Sequence, residues 1–152
     1  MKKPKFSIAH EDAKMMNLVD NADQKTLAVW AVDCAERVLP YSENEFPDDP
    51  RPRQALNTLQ DWIDTGEFSM KIIRGASLDS HAAAREVGED SPARSAARAA
   101  GQAVATAHVP RHAYGAAIYA QQAVFRASDP EIAEAAAAKE RDWQYKHLLE
   151  LK

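Results

Sequence analysis

Two pairs of cationic side chains at helical spacing are the strongest candidates for chemistry in this sequence. His81 and Arg85 are four residues apart, and so are Arg94 and Arg98, so each pair projects from one face of a predicted helix. The guanidinium fork matches carboxylate and phosphate oxygens, which favours a site for an anionic ligand or an acidic partner surface. The structural alternative, which we weigh more heavily, is pairing with internal carboxylates. Those carboxylates lie in one acidic segment: Glu43, Glu45, Asp48 and Asp49.

A second pair of histidines has the spacing of zinc ligands. His108 and His112 are four residues apart, which lets two imidazoles on one helix share a metal ion. Pro110 lies between them and predicts that they belong to different helices. No cysteine-rich motif accompanies them, so we expect no metal site and no cofactor. The structural role that we expect for His108 is an interaction with the dipole of the helix that ends beside it.

The remaining polar motifs favour structural roles over catalysis. Arg51 and Arg53 adjoin Asp48 and Asp49 in a proline-rich stretch, where we expect ion pairs to pin the connection. Cys34 lies on an apolar stripe with no base beside it, so we expect no thiol nucleophile. The sequence has no glycine-rich phosphate loop, no serine nucleophile elbow and no paired catalytic carboxylates at a recognisable spacing. We therefore name no catalytic residue and do not expect an enzyme.

The composition is that of one globular domain. A chain of 152 residues is long enough to bury roughly 70% of its extended surface, so we predict a single domain over residues 1–152 with residues 1–6 loose. The net charge of −4 argues against nucleic-acid binding, which needs a concentrated basic surface. No apolar run approaches the ~18 residues of a membrane span, and we expect no contact with a membrane. The single cysteine and the lack of a secretory pattern predict a cytoplasmic location.

The positions of capping residues, prolines and glycines divide the chain into six or seven helices. The first is predicted at about Ser7 to Val19, and the second is opened by an Asn21–Gln24 capping box and ended by Pro40. Glycine stops are predicted at Gly66 for the third helix, which Asp49 caps, and at Gly88 for the fourth. The remaining bounds and signals are Ser69 to Val87 with a kink or split at Gly75 or Ser77 to Ser80, Ser91 to His108, Pro110 to Ala127, and a Ser128–Glu131 capping box that opens the last helix.

Small apolar residues mark two of these helices as a central pair. Their alanine rows let two helix axes approach closely, so we expect the tightest packing there. Trp30, Trp62 and Trp143 fall on apolar stripes and are expected in the core. Ile72 and Ile132 belong to the apolar stripes of the fourth and the last predicted helix. No run of alternating β-branched residues predicts a strand. The predicted fold is therefore all-α, a compact bundle of six to seven helices with an alanine-rich central helical pair. The two rows are Ala93, Ala97, Ala100 and Val104, and Ala113, Ala116, Ala120 and Val124.

Several stretches of this chain form a recognisable set. They are WAVDCAERVLPY at 30–41, DDPRPRQAL at 48–56, Trp62, HAAAR at 81–85 and SAARAAGQAVATAHVPRHAYGAAIYA at 95–120. From about residue 28 to residue 125 the chain resembles the Imm-5-like putative immunity proteins of bacteria. The resemblance implies a bacterial protein that binds and neutralises a toxin, and it supplies no catalytic residues. Its marked positions are Arg51, Arg53, His81, Arg85, Arg94, Arg98, His108 and His112.

These observations leave three functional hypotheses. The first is a non-catalytic immunity protein whose partner is a cognate toxin; the acidic surface of Glu43, Glu45, Asp48 and Asp49 would face a basic toxin. The second is a domain or enzyme that binds a small anionic molecule within the His/Arg cluster at 81–112. The third is a homo-oligomer that self-associates through an exposed alanine face.

Overall fold

The computed structural model describes residues 5–6 and 12–152 of the chain. Within these residues it contains seven helices and no strand, which confirms the all-α prediction. The helices are α1 Ala13–Asp20, α2 Gln24–Glu45, α3 Arg51–Thr65, α4 Met70–Val87, α5 Pro92–Ala105, α6 His112–Ala127 and α7 Ala133–Leu151.

Helix α5 lies at the centre of the bundle. It packs against α2, α3, α4 and α6, and its contact with α6 is the most extensive between any two of the seven helices. Both predicted alanine rows are buried, which confirms the alanine-rich central pair. For the same reason the rows provide no exposed face for self-association. The buried alanines are Ala93, Ala96, Ala97, Ala99, Ala100 and Ala103 of α5 and Ala113, Ala116, Ala117, Ala120 and Ala123 of α6.

A buried polar network joins α2, α6 and α7 inside the apolar core. The indole of Trp30, which is fully buried as predicted, donates a hydrogen bond to the backbone oxygen of Gln144 at 2.9 Å. The Gln144 side chain accepts from Gln121 at 2.8 Å and donates to the Ala117 carbonyl at 3.0 Å. Because every partner is satisfied, the network fixes the position of α7 without leaving an orphaned polar atom. Trp62 and Trp143 are only partly buried and pack at the edge of the core.

The prediction that Pro40 ends α2 is wrong. The helix continues to Glu45, and Pro40 lies on its exposed side. A proline inside a helix removes one backbone hydrogen bond, but burial of Leu39 and Ser42 on the opposite face holds the chain in register. The helix also begins later than predicted, because the Asp23 carboxylate accepts from the Thr26 amide at 2.7 Å and Asp23 is therefore the N-cap.

Other boundaries also differ from the predictions. Helix α7 begins at Ala133 with no side-chain cap, since the Ser128 hydroxyl donates instead to the Val124 carbonyl at 2.7 Å. Helix α5 ends at Ala105 rather than His108, and α6 begins at His112 rather than Pro110. Left-handed Gly66 and Gly88 end α3 and α4 as predicted. Helix α4 is not split at Gly75 or at Ser77 to Ser80.

Two further predictions concern the beginning of the chain and the burial of isoleucines. The described part of the first helix is α1, capped by Asp12, while residues 7–11 of the predicted helix and residues 1–4 of the predicted loose segment lie outside the described residues. Ile72 and Ile132 were expected in the core, but each is more than half exposed. No helix in 5–6 and 12–152 is both long and apolar enough to cross a membrane.

The Gln144 network yields a test of the fold. We expect Gln144→Ala to lower the free energy of unfolding by about 2–4 kcal/mol, because it opens a cavity and leaves the Gln121 amide without its acceptor. Urea denaturation monitored by tryptophan fluorescence measures the change. Gln60→Ala, at an exposed position of α3, is the control and should change stability by less than about 0.5 kcal/mol. Equal effects of both substitutions would contradict a structural role for the network.

Candidate functional site

The predicted site residues fall into two separate regions. Arg51 and Arg53 lie at the start of α3, beside the acidic end of α2. The other region is the junction of α4, α5 and α6, which we call the polar seam. Its predicted members are His81, Arg85, Arg94, Arg98 and His112.

Arginine pairing organises the acidic region. Arg53 binds Glu36 at 2.7 and 2.8 Å and Glu43 at 2.9 and 3.1 Å, so its guanidinium bridges two turns of α2. These hydrogen bonds lower the pKa of the Glu43 carboxyl, since Arg53 stabilises its charged form. The bridge depends on the continuation of α2 past Pro40, because Glu43 lies on the extra turn.

Arg51 pins the connection between α2 and α3, as predicted. Its guanidinium donates to both oxygens of Asp49 at 2.9 and 2.7 Å and also contacts Glu86 of α4. The hydrogen bonds from Arg51 lower the pKa of Asp49. Glu86 is a partner that sequence reasoning missed, because nothing in the spacing shows that the end of α4 faces this connection.

Only half of the predicted acidic surface is therefore available to a partner. Glu43 and Asp49 are held in ion pairs by Arg53 and Arg51. Glu45 and Asp48 are exposed and form no ion pair with any described residue. The alternative prediction, that the cations of the polar seam pair with this acidic segment, is wrong. Its paired carboxylates bind Arg51 and Arg53 instead.

Small residues and two serines bring α4 and α5 together at the polar seam. The Ser77 hydroxyl donates to the Gly101 carbonyl at 2.9 Å, and the Ser80 hydroxyl donates to the Ala97 carbonyl at 2.8 Å. Both bonds cross between the helices, and Ser80 is completely buried. The serines that were expected to weaken α4 therefore attach it to α5.

His81 occupies the space that a side chain on Gly101 would need. A Cβ built on Gly101 would lie 2.7 Å from Nε2 of His81. On its other side the ring accepts a hydrogen bond at Nδ1 from the Arg98 guanidinium at 2.9 Å. Burial, and then the positive charges of Arg98 and Arg85, lower the pKa of His81 from 6.5 to about 4. The imidazole is therefore neutral at pH 7 and free to accept this bond.

A similar arrangement links α5 to α6 one turn further along. Nδ1 of His112 lies 2.8 Å from Oε1 of Gln102, which requires that this nitrogen carry the proton. A Cβ on Gly115 would lie 2.8 Å from the same Oε1. Burial, followed by the charge of His108, lowers the pKa of His112. Gln102 was missed, although its spacing of four from Arg98 places both on one face of α5.

An acidic residue neutralises the other end of the seam. Asp90 binds Arg94 at 3.1 Å and Arg126 at 3.4 Å. Arg126 also donates to the Ser95 hydroxyl at 2.9 Å, which donates to Gln122 at 2.9 Å. Asp90, Ser95, Gln122 and Arg126 were not among the predicted residues. The four-residue interval between Asp90 and Arg94 is a helical ion-pair signal that could have found the first of them.

His108 lies apart from the polar seam. It is exposed in the turn after α5, and its ring stacks on Phe68 with ring centres 6.3 Å apart. His112 is the first residue of α6, so the two histidines are on different elements, as Pro110 predicted. In the described part of the chain, no three histidine, cysteine, aspartate or glutamate side chains are grouped closely enough to hold a metal ion.

The thiol of Cys34 is unsuited to nucleophilic chemistry. It is fully buried in the core, and burial raises its pKa well above the ordinary value, with the charge of Glu140 as a second cause.

The fold and both polar regions define a helical bundle in which several arginines pair with carboxylates and with a histidine ring of the same chain. The chain belongs to the family described as Imm-5 like putative immunity protein, whose model matches residues 17–151. The match confirms the resemblance seen over residues 28–125 and extends it through α7. Comparisons with curated proteins and with solved structures gave no match.

The close contact between Gly101 and His81 can be tested by a double-mutant cycle. In the natural chain we expect Gly101→Ala to lower stability, because the new Cβ displaces the imidazole from Arg98. In a His81→Ala background the same change should raise stability by about 0.5–1 kcal/mol, the usual gain of alanine over glycine in a helix. Chemical denaturation of the natural protein, the two single variants and the double variant measures the coupling free energy between positions 81 and 101. Additive effects would show that the ring does not restrict this position.

The neutral state of His81 predicts a pH dependence of stability. Since the folded pKa of about 4 lies below the unfolded value of 6.5, the unfolded chain binds more protons between these pH values. We therefore expect the contribution of His81 to be complete above pH 6.5 and to be lost as the pH falls toward 4. His81→Gln should flatten this part of the stability curve, whereas His108→Gln is the control for loss of an exposed imidazole. A ring pKa near 6.5 measured by NMR would contradict the prediction.

Proposed function

We propose that this chain is an immunity protein that binds and neutralises a bacterial toxin domain without catalysing a reaction itself. Membership of the Imm-5 like putative immunity protein family over residues 17–151 is the observation that carries the proposal. The arginine pairing supports it, because guanidinium groups that would serve a catalyst are instead engaged with side chains of the protein.

The acidic corner is the surface that we assign to the toxin; we define it as Tyr41, Glu45, Phe46 and Asp48. Continuation of α2 past Pro40 places Tyr41 and Glu45 four residues apart on one helical face. Both aromatic side chains are more than one third exposed, and neither carboxylate forms an ion pair with a residue that the structure describes. Exposed aromatics beside free carboxylates provide apolar anchors and a negative field for a basic toxin surface.

The paired arginines give this corner its rigidity. Arg53 holds Glu43 and Glu36, and Arg51 holds Asp49 and Glu86, so the chain on both sides of Phe46 is fixed. A fixed surface loses little conformational entropy on binding, which favours tight association. The paired carboxylates therefore support the corner, while Glu45 and Asp48 meet the partner.

The test pairs the chain with a toxin domain recovered by affinity capture from its own host. The chain should rescue growth of bacteria that express the toxin and should bind the purified domain. We expect Glu45→Lys/Asp48→Lys to slow association on the order of tenfold at low salt, with a smaller effect at high salt. Surface plasmon resonance over a range of ionic strength measures the rates.

A matched charge reversal on α3 is the control. Asp61 and Asp64 are exposed, form no ion pair with another residue of the described chain, and are about 15 Å or more along α3 from Arg51. Asp61→Lys/Asp64→Lys should leave the association rate nearly unchanged. Loss of rescue in both variants would contradict the assignment to the corner, and absence of rescue and binding by the natural chain would contradict the proposed function.

A second candidate function is the binding of a small anion at the polar seam. The half-buried Arg98 guanidinium has a neutral ring as its partner instead of a carboxylate, and exposed Arg85 forms no ion pair with a described residue. Titration with inorganic phosphate should then shift the NMR signals of His81 and Gly101 in the natural protein, but not in Arg98→Gln. Unchanged signals at millimolar phosphate would exclude this function.

A further inference from the structure

The end of the α4–α5 interface opposite Asp90 contains an apolar pocket. Its volume is about 260 Å³, below the roughly 300–1,000 Å³ of typical small-molecule sites, so it suits a single side chain. Ile73 is buried at 3% exposure and belongs to the main core, so the pocket reaches down to that core. Its principal lining residues are Met70, Ile73, Arg74, Leu78, Ala105 and His108.

The apolar walls of this pocket are open to solvent. Met70 is 40% exposed and Leu78 is 55% exposed, although both are large apolar side chains on a helix that packs against α3 and α5. Phe68, 48% exposed, stacks on His108 and extends the same apolar surface. A contiguous exposed apolar surface of this kind marks a contact site for another molecule.

The pocket lining contains one arginine, Arg74, and a second arginine lies further along the same helix. Arg74 lies on the rim, and Arg85 follows eleven residues, or three turns, later on the same face of α4. Neither arginine forms an ion pair with a residue in 5–6 or 12–152. The carboxylates of α4 point elsewhere, since Glu86 contacts Arg51 and Asp79 lines a separate concavity between α3 and α4.

We propose that this pocket, together with the Arg74 rim, is a docking site for an acidic segment of a protein partner, which inserts one apolar side chain flanked by carboxylates. The apolar side chain fills the pocket between Met70 and Leu78, and a neighbouring carboxylate pairs with Arg74. The charge of this site is positive, whereas that of the acidic corner is negative. The two surfaces therefore select different parts of a partner or different partners. The site does not depend on toxin neutralisation at the corner.

The first experiment is an NMR titration of the isotope-labelled full chain with three synthetic peptides. One peptide has a leucine between glutamates, the second has glycine in place of the leucine, and the third has glutamines in place of the glutamates. We expect the first peptide to shift the backbone signals of Ser77, Leu78 and Ala105. The other two peptides should each bind several-fold more weakly, because each lacks one of the two required features.

The second experiment compares two variants of α4, each of which reverses one positive charge and replaces one aliphatic side chain with serine. Arg74→Glu/Leu78→Ser alters the pocket, whereas Lys71→Glu/Ile72→Ser alters equally exposed positions that line the α3–α4 concavity. We expect the pocket variant to bind the first peptide about tenfold more weakly, from loss of one apolar contact and one ion pair. The control variant should bind it with unchanged affinity.

Four outcomes would overturn the proposal. Equal affinity for all three peptides would show that the pocket has no preference for an acidic apolar segment, and shifts confined to other surfaces would place binding elsewhere. Absence of shifts at millimolar peptide would show that the pocket does not bind such a segment. If the chain alone shifts the pocket signals with rising protein concentration and its hydrodynamic radius grows, the occupant is a second copy of this chain instead. Failure of toxin rescue leaves these readouts unaffected, so the two proposals can fail separately.

Discussion

The close approach of α4, α5 and α6 is the constraint on which the rest of the structure depends. Helix α5 presents alanine or glycine where it meets its neighbours, so backbones come near enough for Ser77 and Ser80 to bond to α5 carbonyls. At Gly101 even one added carbon would meet the His81 ring. His81 is partly buried in the polar seam, and its ring stays neutral because burial and the positive charge of Arg98 both disfavour the charged form.

The ion pairs leave two oppositely charged surfaces. At the α2–α3 connection, Arg51 and Arg53 pair with Asp49 and Glu43, whereas Glu45 and Asp48 have no ion-pair partner among the described residues. On α4 the balance is reversed, because Glu86 pairs with Arg51 while Arg74 and Arg85 have no carboxylate partner within 5–6 or 12–152. The molecule therefore has both an acidic corner and a basic, partly apolar face, although its net charge is −4. Binding of a partner by complementary charge and apolar anchors suits both surfaces.

Helix α2 shows how a local rule can be overridden by burial. Pro40 costs one backbone hydrogen bond, but the next turn contributes buried Ser42 and places Glu43 within reach of Arg53. The same extra turn supplies the aromatic side chains of the acidic corner. Local rules predict that the helix ends at Pro40, but tertiary contacts outweigh the single missing hydrogen bond. The turn that follows Pro40 is therefore helical and belongs to the candidate interface.

The sequence by itself determined the all-α class, the alanine-rich central pair, the stops at Gly66 and Gly88 and the family, since these follow from periodicity, local backbone preference and ordered motifs. Pro110 also indicated that His108 and His112 belong to different elements. Only the tertiary structure decided that Arg98 faces His81 and that Glu86 and Asp90 hold arginines from other elements. It also decided that Met70 and Leu78 stay exposed. These partners are distant in sequence, and their meeting depends on how helices dock, which no local spacing records.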